Sequence, residues 1–186
     1  WNVERTLLLL AAVRRRRPGI LVCVGGPEVA RDHPFLFRSG VPDAVVAGEG
    51  EPVFPSVVRA LAALRRHGAD GSPPAIPPAA DWENVAWRIG RRYAWGRRPP
   101  PAFDLAAGLP PPSHPCWTPD GHGMGWVEAG RGCPLRCAYC RYPPLRRRLA
   151  FVPVKDVLAR IRTLRKRGAR EIRFIDPSLS AHTDFD

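Results

Sequence analysis

The chain has 186 residues, a net charge of +12 and a 45% hydrophobic composition, which gives room for one or two domains. No apolar run approaches the roughly 18 residues that a membrane-spanning helix needs, so no membrane partner is expected. Of its 29 basic residues only two are lysine, and the excess of arginine, alanine and proline is typical of a GC-rich genome. No nucleic-acid-binding motif accompanies the positive charge, so nucleic acid is not the expected partner.

The chain begins with Trp1, its single methionine is Met124, and its last residues directly follow a predicted strand. We therefore expect a fragment of a longer protein.

An alternation of helices and buried strands is predicted for residues 1–67. The predicted order is a helix over 2–17, a strand over 20–24, a short helix over 28–38, a strand over 43–47 and an amphipathic helix over 52–67. This order with short connections is typical of a parallel, doubly wound sheet. In such sheets, ligands bind outside the carboxyl ends of the strands.

Two glycine-rich turns follow the two predicted strands at that edge of the sheet. They are Gly25-Gly26-Pro27 and Gly48-Glu49-Gly50-Glu51. Glycine lets the backbone approach a ligand closely and adopts positive φ. The residues alone leave two interpretations open, a ligand site or ordinary tight turns. Cys23, within the first strand, is predicted to be a small buried hydrophobic residue.

Residues 68–125 are rich in proline and are predicted to form an extended linker with one helix around residues 81–90. The linker contains several tryptophans, which need a surface to pack on. We expect them to pack at the seam between two domains, or alternatively to form a strap near an active site. They are Trp82, Trp87, Trp95 and Trp117.

The last part of the chain predicts one strand–helix–strand unit. A strand over 126–128 is followed by a cysteine-rich loop, an amphipathic helix over 153–168 and a strand over 171–175. This is the first unit of a β/α barrel, whose chemistry lies at the carboxyl face. Five apolar residues are assigned to the buried face of the helix, and Arg160 is assigned to the exposed face. The five are Val154, Val157, Leu158, Ile161 and Leu164.

The loop carries Cys133, Cys137 and Cys140 in the spacing C-x3-C-x2-C. Three thiolates on one loop are close enough to hold one metal centre. A four-iron cluster needs four ligands, so three cysteines leave one iron open to a small molecule. A zinc site with His114 or His122 as the fourth ligand is the alternative. Disulfides are less expected, because five cysteines are an odd number and no secretory signal is present.

This spacing, with Tyr139 directly before the last cysteine, resembles the signature of the radical S-adenosylmethionine (SAM) enzymes. The longer string from Glu128 to Cys140 resembles the branch of that family that carries a cobalamin-binding domain. The resemblance implies a [4Fe–4S] cluster whose open iron binds SAM and whose electron cleaves it to a 5′-deoxyadenosyl radical. It also implies that the backbone near Tyr139 meets the adenine of SAM. Asp176 falls where the family places a polar group near the SAM amino group, or it caps the following turn.

Residues 1–67 resemble the second half of the flavodoxin-like (Rossmann-like) cobalamin-binding domain of the same branch. The resemblance implies that the Gly-Gly turn approaches the nucleotide tail of cobalamin and that Gly-Glu-Gly-Glu closes the next strand. The implied cobalamin-binding residues are Gly25, Gly26, Gly48, Glu49 and Gly50.

The sequence therefore predicts an α/β fold with a partial cobalamin-binding domain over 1–67, a linker over 68–125 and the start of a partial (β/α) radical SAM barrel over 126–186. The resemblance implies a cytoplasmic enzyme with a small-molecule substrate, a reductant such as flavodoxin or ferredoxin, and cobalamin as a methyl carrier. Ring rearrangement and cyclisation also occur in this branch. The alternatives are a non-catalytic iron–sulfur or zinc-binding module and a methylthiotransferase-like enzyme that modifies transfer RNA. Enzymes of the latter type hold a second cluster with cysteines of their first domain.

Overall fold

A computed structural model describes residues 2–26, 29–67, 80–140 and 149–182. The chain divides into two compact units, Trp1–Phe103 and Asp104–Asp186. The first part of the predicted linker thus belongs to one unit and its last part to the other. Pro27 and the first prolines of the linker lie outside the described residues. No helix in the described ranges is both long and apolar enough to cross a membrane.

The first unit contains a four-stranded sheet with the order β1-β2-β3-β4. Strands β1 and β2 are parallel, with Cys23 opposite Ala44, whereas β3 and β4 continue the sheet as antiparallel neighbours. Helices precede and follow the parallel strands. The elements are α1 (Val3–Arg16), β1 (Cys23–Gly25), α2 (Pro34–Arg38), β2 (Ala44–Val46), α3 (Phe54–His67), β3 (Val85–Ile89) and β4 (Arg92–Trp95).

Helices cover both faces of this sheet, as the alternation of β2 side chains requires. Ala44 and Val46 face helix α3 and are packed with two fully buried valines, Val57 in the helix and Val53 directly before it. Val45 faces the other way, into a cluster formed with residues of α1 and α2. The buried strand over 43–47 and the amphipathic helix that follows it are therefore confirmed, with the helix beginning at Phe54.

Two elements of this unit are shorter than predicted. The strand predicted over 20–24 spans only Cys23–Gly25, and Ile20 is 39% exposed because β1 has a described strand on one side only. The helix predicted over 28–38 begins at Pro34. His33 starts it, since its Nδ1 accepts a hydrogen bond from the Leu36 backbone N–H at 3.3 Å.

The helix predicted around residues 81–90 is wrong, because this stretch forms the hairpin β3–β4. Its side chains alternate as in a strand, with Val85 and Trp87 on the α3 face of the sheet and Ala86 on the other. The turn uses Gly90 at a φ of +61°. The tryptophans of the hairpin region pack within the first unit rather than at a seam, and the indole of Trp82 donates to Ser56 Oγ at 2.9 Å.

The second unit contains the predicted strand–helix–strand pattern. Strand β5 pairs in parallel with β8, with Met124 opposite Glu171. Helix α5 lies between these two strands in the chain and packs on β5. A two-residue ladder, β6 with β7, is inserted between β5 and α5. The elements are α4 (Leu105–Gly108), β5 (Met124–Val127), β6 (Gly130–Arg131), β7 (Ala150–Phe151), α5 (Val154–Lys166), β8 (Glu171–Phe174) and a 3-10 turn (Leu179–Ala181).

The buried face of α5 differs from the prediction. Val157 and Leu164 are buried as expected, but Val154 and Leu158 are 39% and 42% exposed. Arg160, which was expected to be exposed, is 3% exposed. Its guanidinium carbon lies 5.3 Å from the centre of the Trp117 ring, so the aromatic face replaces water around the cation.

Candidate functional site

The cysteine loop leaves the carboxyl end of β5 through β6. Cys133 and Cys137 are half-buried, Cys140 is exposed, and all three are free thiols. The Cys140 backbone N–H donates to the Cys137 carbonyl at 3.0 Å, so these two cysteines share one tight turn. The Tyr139 side chain between them is 90% exposed. Residues 141–148, including three consecutive arginines, lie outside the described residues.

This donor set fits an iron–sulfur centre, because soft thiolates without disulfide partners are the ligands that such clusters take. Within the described ranges, no three His, Cys, Asp or Glu side chains are gathered closely enough to hold a metal. The three thiols and the histidines of the zinc alternative therefore do not form a preassembled cluster there. His114 Nδ1 instead accepts a hydrogen bond from the Cys116 backbone N–H at 3.1 Å.

Asp176 follows β8 and reaches the end of the neighbouring strand. Both of its carboxylate oxygens lie 3.1 Å from the Ala129 backbone nitrogen. Burial raises the pKa of this carboxyl, although the N–H groups of Ala129 and Gly130 oppose the shift, and the nearby Glu128 adds to it. Ala129 lies 47 residues before Asp176 in the chain, and neither interpretation of Asp176 predicted this contact. The SAM contact remains a prediction.

Glu128 and Arg131 form a bidentate ion pair at the start of the loop. Arg131 Nε lies 2.6 Å from Glu128 Oε1, and Nη2 lies 2.9 Å from Oε2. Only 10% of the Arg131 side chain and 16% of the Glu128 side chain are exposed. Both residues belong to the cysteine motif, but their pairing was not predicted from the sequence. The i, i+3 spacing of opposite charges was the available signal.

The two glycine-rich turns lie at the carboxyl ends of β1 and β2. Gly26 and Gly48 have φ values of +119° and +71°, which favour glycine. Beside the first turn is a cavity of about 190 Å³ that opens to solvent. Its lining is mainly apolar and includes Val3, Leu7, Gly25, Gly26, Val29 and His33.

The second turn is held by Asn84, a residue that sequence reasoning missed. The Asn84 side-chain amide donates to the Ala47 and Glu49 carbonyls, each at 3.2 Å. Because Asn84 lies 35 residues beyond Glu49, local pattern gave no signal for this contact. In the preceding strand, burial raises the pKa of Cys23 to about 11, which agrees with its predicted role as a small buried residue.

Comparison with known proteins gives no matching family model. The chain is 30% identical over 141 residues to a 2-(S-pantetheinyl)-carbapenam-3-carboxylate methyltransferase of Streptantibioticus cattleyicolor, covering 75% of the chain and 20% of that relative. It is 38% identical over 84 residues to the ribosomal protein uS12 methylthiotransferase RimO of Alkalilimnicola ehrlichii, covering 45% of the chain and 18% of that relative.

Solved structures of the radical SAM methyltransferase TsrM from Kitasatospora setae share the fold. The one with tryptophan substrate and a SAM analogue bound has a TM-score of 0.57 at 17% identity, over 96% of this chain and 34% of TsrM. The one with cobalamin and a [4Fe–4S] cluster bound has a TM-score of 0.53 at 18% identity. The chain thus spans about a fifth of the length of the curated relatives and about a third of TsrM. Its relatives include a methyltransferase and methylthiotransferases, and among the solved structures that share its fold is a radical SAM methyltransferase with cobalamin bound, the family that the sequence predicts.

Proposed function

We propose that this chain is part of a radical SAM enzyme in which Cys133, Cys137 and Cys140 hold a [4Fe–4S] cluster. The carrying observation is that these three free thiols lie on one loop at the carboxyl end of β5, in a strand–helix–strand unit. The cluster would supply the electron that cleaves SAM. The fold shared with TsrM supports the assignment.

Two residues are proposed to contact SAM. Tyr139 stands on the same turn as Cys137 and Cys140 and is almost fully exposed, so its backbone is accessible to an adenine ring. Asp176 lies at the carboxyl end of the strand that pairs with β5. Each carboxylate oxygen has two lone pairs, so Asp176 can accept from Ala129 and still bind an ammonium group.

The first unit is proposed to bind cobalamin, with the cofactor as a methyl carrier. The proposed contacts are in the two glycine-rich turns, at the edge of the sheet where ligands of doubly wound folds bind. The cavity beside Gly25 and Gly26 supports this assignment, since its mainly apolar lining can receive one part of a large cofactor. The proposed cobalamin-binding segment is 1–67 and the proposed radical SAM segment is 126–186. Of the residues between them, β3 and β4 extend the sheet of the first unit, and those from Asp104 onward belong to the second unit.

The proposed partners are a small-molecule substrate and a reductant such as flavodoxin or ferredoxin. Methyl transfer is the reaction that the relatives favour, because they are a methyltransferase and a methylthiotransferase. A cytoplasmic setting is proposed because all five cysteines are free thiols. Nucleic acid and membrane are not proposed as partners.

The test is the Cys137→Ala variant of the complete enzyme that contains this chain. Anaerobic reconstitution with iron and sulfide should give about four iron and four sulfide per wild-type chain, and far less in the variant. SAM cleavage, measured as 5′-deoxyadenosine formed with a reductant, should vanish. Cys116→Ala is the matched control, since Cys116 is an exposed thiol outside the loop and its removal should change neither value. Undiminished cleavage in Cys137→Ala, or bound zinc without sulfide in the wild type, would overturn the proposal.

A methylthiotransferase-like function is the second candidate, favoured by the similarity to RimO. Enzymes of that kind are expected to hold a second cluster with cysteines of the first domain. The first unit contains only Cys23, which is half-buried in the sheet and whose pKa is raised to about 11, so it is a poor thiolate ligand. About eight iron per chain would favour this candidate, and about four would favour the first.

A further inference from the structure

We propose that Glu128 and Arg131 are positioning residues that fix the direction in which the chain enters the cysteine loop. The inference rests on the proposed function for the identity of the metal centre. It concerns the base of the loop, the segment 128–131 that precedes Gly132 and Cys133. Its test distinguishes a failure of this inference from a failure of the proposed function.

The ion pair is possible only because the chain bends between the two residues. In a continuous strand, side chains at positions i and i+3 point to opposite faces. Glu128 and Arg131 nevertheless meet through two parallel hydrogen bonds of 2.6 and 2.9 Å. Both side chains are at least 84% buried, so this bidentate pair is less screened than a surface ion pair. The pair therefore stabilises one bend of the backbone.

Backbone contacts with Asp176, Val152 and Phe151 stabilise the same bend. The Ala129 N–H lies against the Asp176 carboxylate, and the Ala129 carbonyl accepts from the Val152 N–H at 2.8 Å. Gly130 lies opposite Phe151 in the β6–β7 ladder. A Cβ on Gly130 would lie 2.8 Å from Phe151 Cδ1, so the bend brings the backbone against the aromatic ring. The segment before Cys133 is thus held by the ion pair and by contacts of Ala129 and Gly130 with two other strands and their ends.

The consequence falls on Cys133 more than on the other cysteines. Cys137 and Cys140 share a turn with its own hydrogen bond, whereas Cys133 follows the bend after only one residue. That residue, Gly132, has a φ of +95°, so the chain changes direction again there. Loss of the Glu128–Arg131 pair would leave two thiolates placed and displace the third.

The pair is also electrically neutral, and this gives a second readout. Glu128→Gln removes one negative charge near the proposed cluster and leaves the Arg131 cation. Net charge is one of the factors that set cluster reduction potentials. Glu128→Gln should therefore shift the potential to more positive values. Arg131→Lys preserves the charge but not the bidentate geometry, so it should lower cluster content without this shift.

The experiment reconstitutes the complete enzyme and its Glu128→Gln and Arg131→Lys variants anaerobically with iron and sulfide. Both variants should bind at most a third of the wild-type iron and sulfide. In a redox titration followed by electron paramagnetic resonance, the reduction potential of the cluster should be more positive in Glu128→Gln and unchanged in Arg131→Lys. The matched control is Glu171→Gln, which breaks an exposed ion pair of the same unit, Glu171 with Arg173 at 2.6 Å. The control should behave as the wild type.

Wild-type cluster content in both variants and an unshifted potential in Glu128→Gln would overturn the inference and leave the proposed function intact. A wild type that binds no iron and sulfide would overturn both. If the single variants do not fold, the double variant Glu128→Arg with Arg131→Glu, which keeps a pair of opposite charges, decides. Recovery of folding and of cluster content supports the inference, and no recovery overturns it.

Discussion

The Asp176 carboxylate lies 3.1 Å from the Ala129 backbone nitrogen through each of its two oxygens. This contact joins the carboxyl ends of the parallel strands β5 and β8, directly before the cysteine loop begins. Burial raises the pKa of Asp176 above its usual value of 3.8. The folded protein therefore binds a proton at this site more readily than the unfolded chain does.

We expect Asp176→Asn to remove a pH dependence of stability. Because the native pKa is raised, the stabilisation that this carboxyl contributes is present below pH 3.8 and is lost as the pH rises through the native pKa. The wild type should therefore lose stability relative to Asp176→Asn over that range. Urea titrations at a series of pH values measure the difference. A difference that does not change with pH would contradict the prediction.

Asp120→Asn is the matched control and should show the opposite sign. Hydrogen bonds from the backbone N–H groups of Met124 and His122 lower the pKa of the Asp120 carboxyl. Its stabilisation is therefore present above the usual value and is lost as the pH falls through the native pKa. The wild type should lose stability relative to Asp120→Asn on acidification.

Asp43→Asn should destabilise the first unit by about 2–4 kcal/mol, because it leaves two partly buried guanidinium groups without their anion. The Asp43 carboxylate is paired with both Arg14 and Arg88, and it accepts the Val22 N–H at 2.8 Å. Its side chain is only 11% exposed. Chemical denaturation measures the loss, and Glu171→Gln is the control, since an exposed pair contributes at most ~1 kcal/mol. Equal losses in the two variants would contradict this account.

Gly96→Ala should lower the free energy of unfolding of the first unit by about 1–3 kcal/mol, the usual cost of overpacking, because it disturbs the end of the β3–β4 hairpin. A Cβ at this position would lie 2.4 Å from the Trp82 carbonyl oxygen and 2.5 Å from the Asp81 carbonyl carbon. Both are backbone atoms and cannot move as a side chain would. Gly121→Ala is the control, because nothing lies within 4 Å of its Cβ position. A shift in urea midpoint no larger than that of the control would show that the close approach is absent.

The local sequence pattern predicted the helices and strands whose apolar residues follow a regular spacing. Helix α5 and strand β2 were found because apolar residues recur at helical spacing in one and form an unbroken run in the other. The hairpin β3–β4 was missed because it lies in a proline-rich stretch, although Val85, Ile89 and Tyr93 favour strands and Gly90 favours a turn. Tertiary pairing with β2 decided its structure.

The candidate site shows the same division. The spacing of three cysteines predicted one loop as the ligand-bearing segment, since ligand spacing is a local property. The contacts that shape its base depend on residues far away in sequence, such as Asp176 and Val152, and on a bend that no periodicity describes. Arg160 was misplaced for a related reason: only the position of the Trp117 ring makes burial of its cation favourable.

The β6–β7 ladder closes the cysteine-bearing segment before the chain continues into α5. Residues between 132 and 149 are thus inserted into a strand–helix–strand unit whose own packing lies elsewhere, in Val127, Val157 and Leu164. Because the ladder pairs the two ends of this segment, a loop exchanged between homologous enzymes at Arg131 and Ala150 would meet the same two anchors.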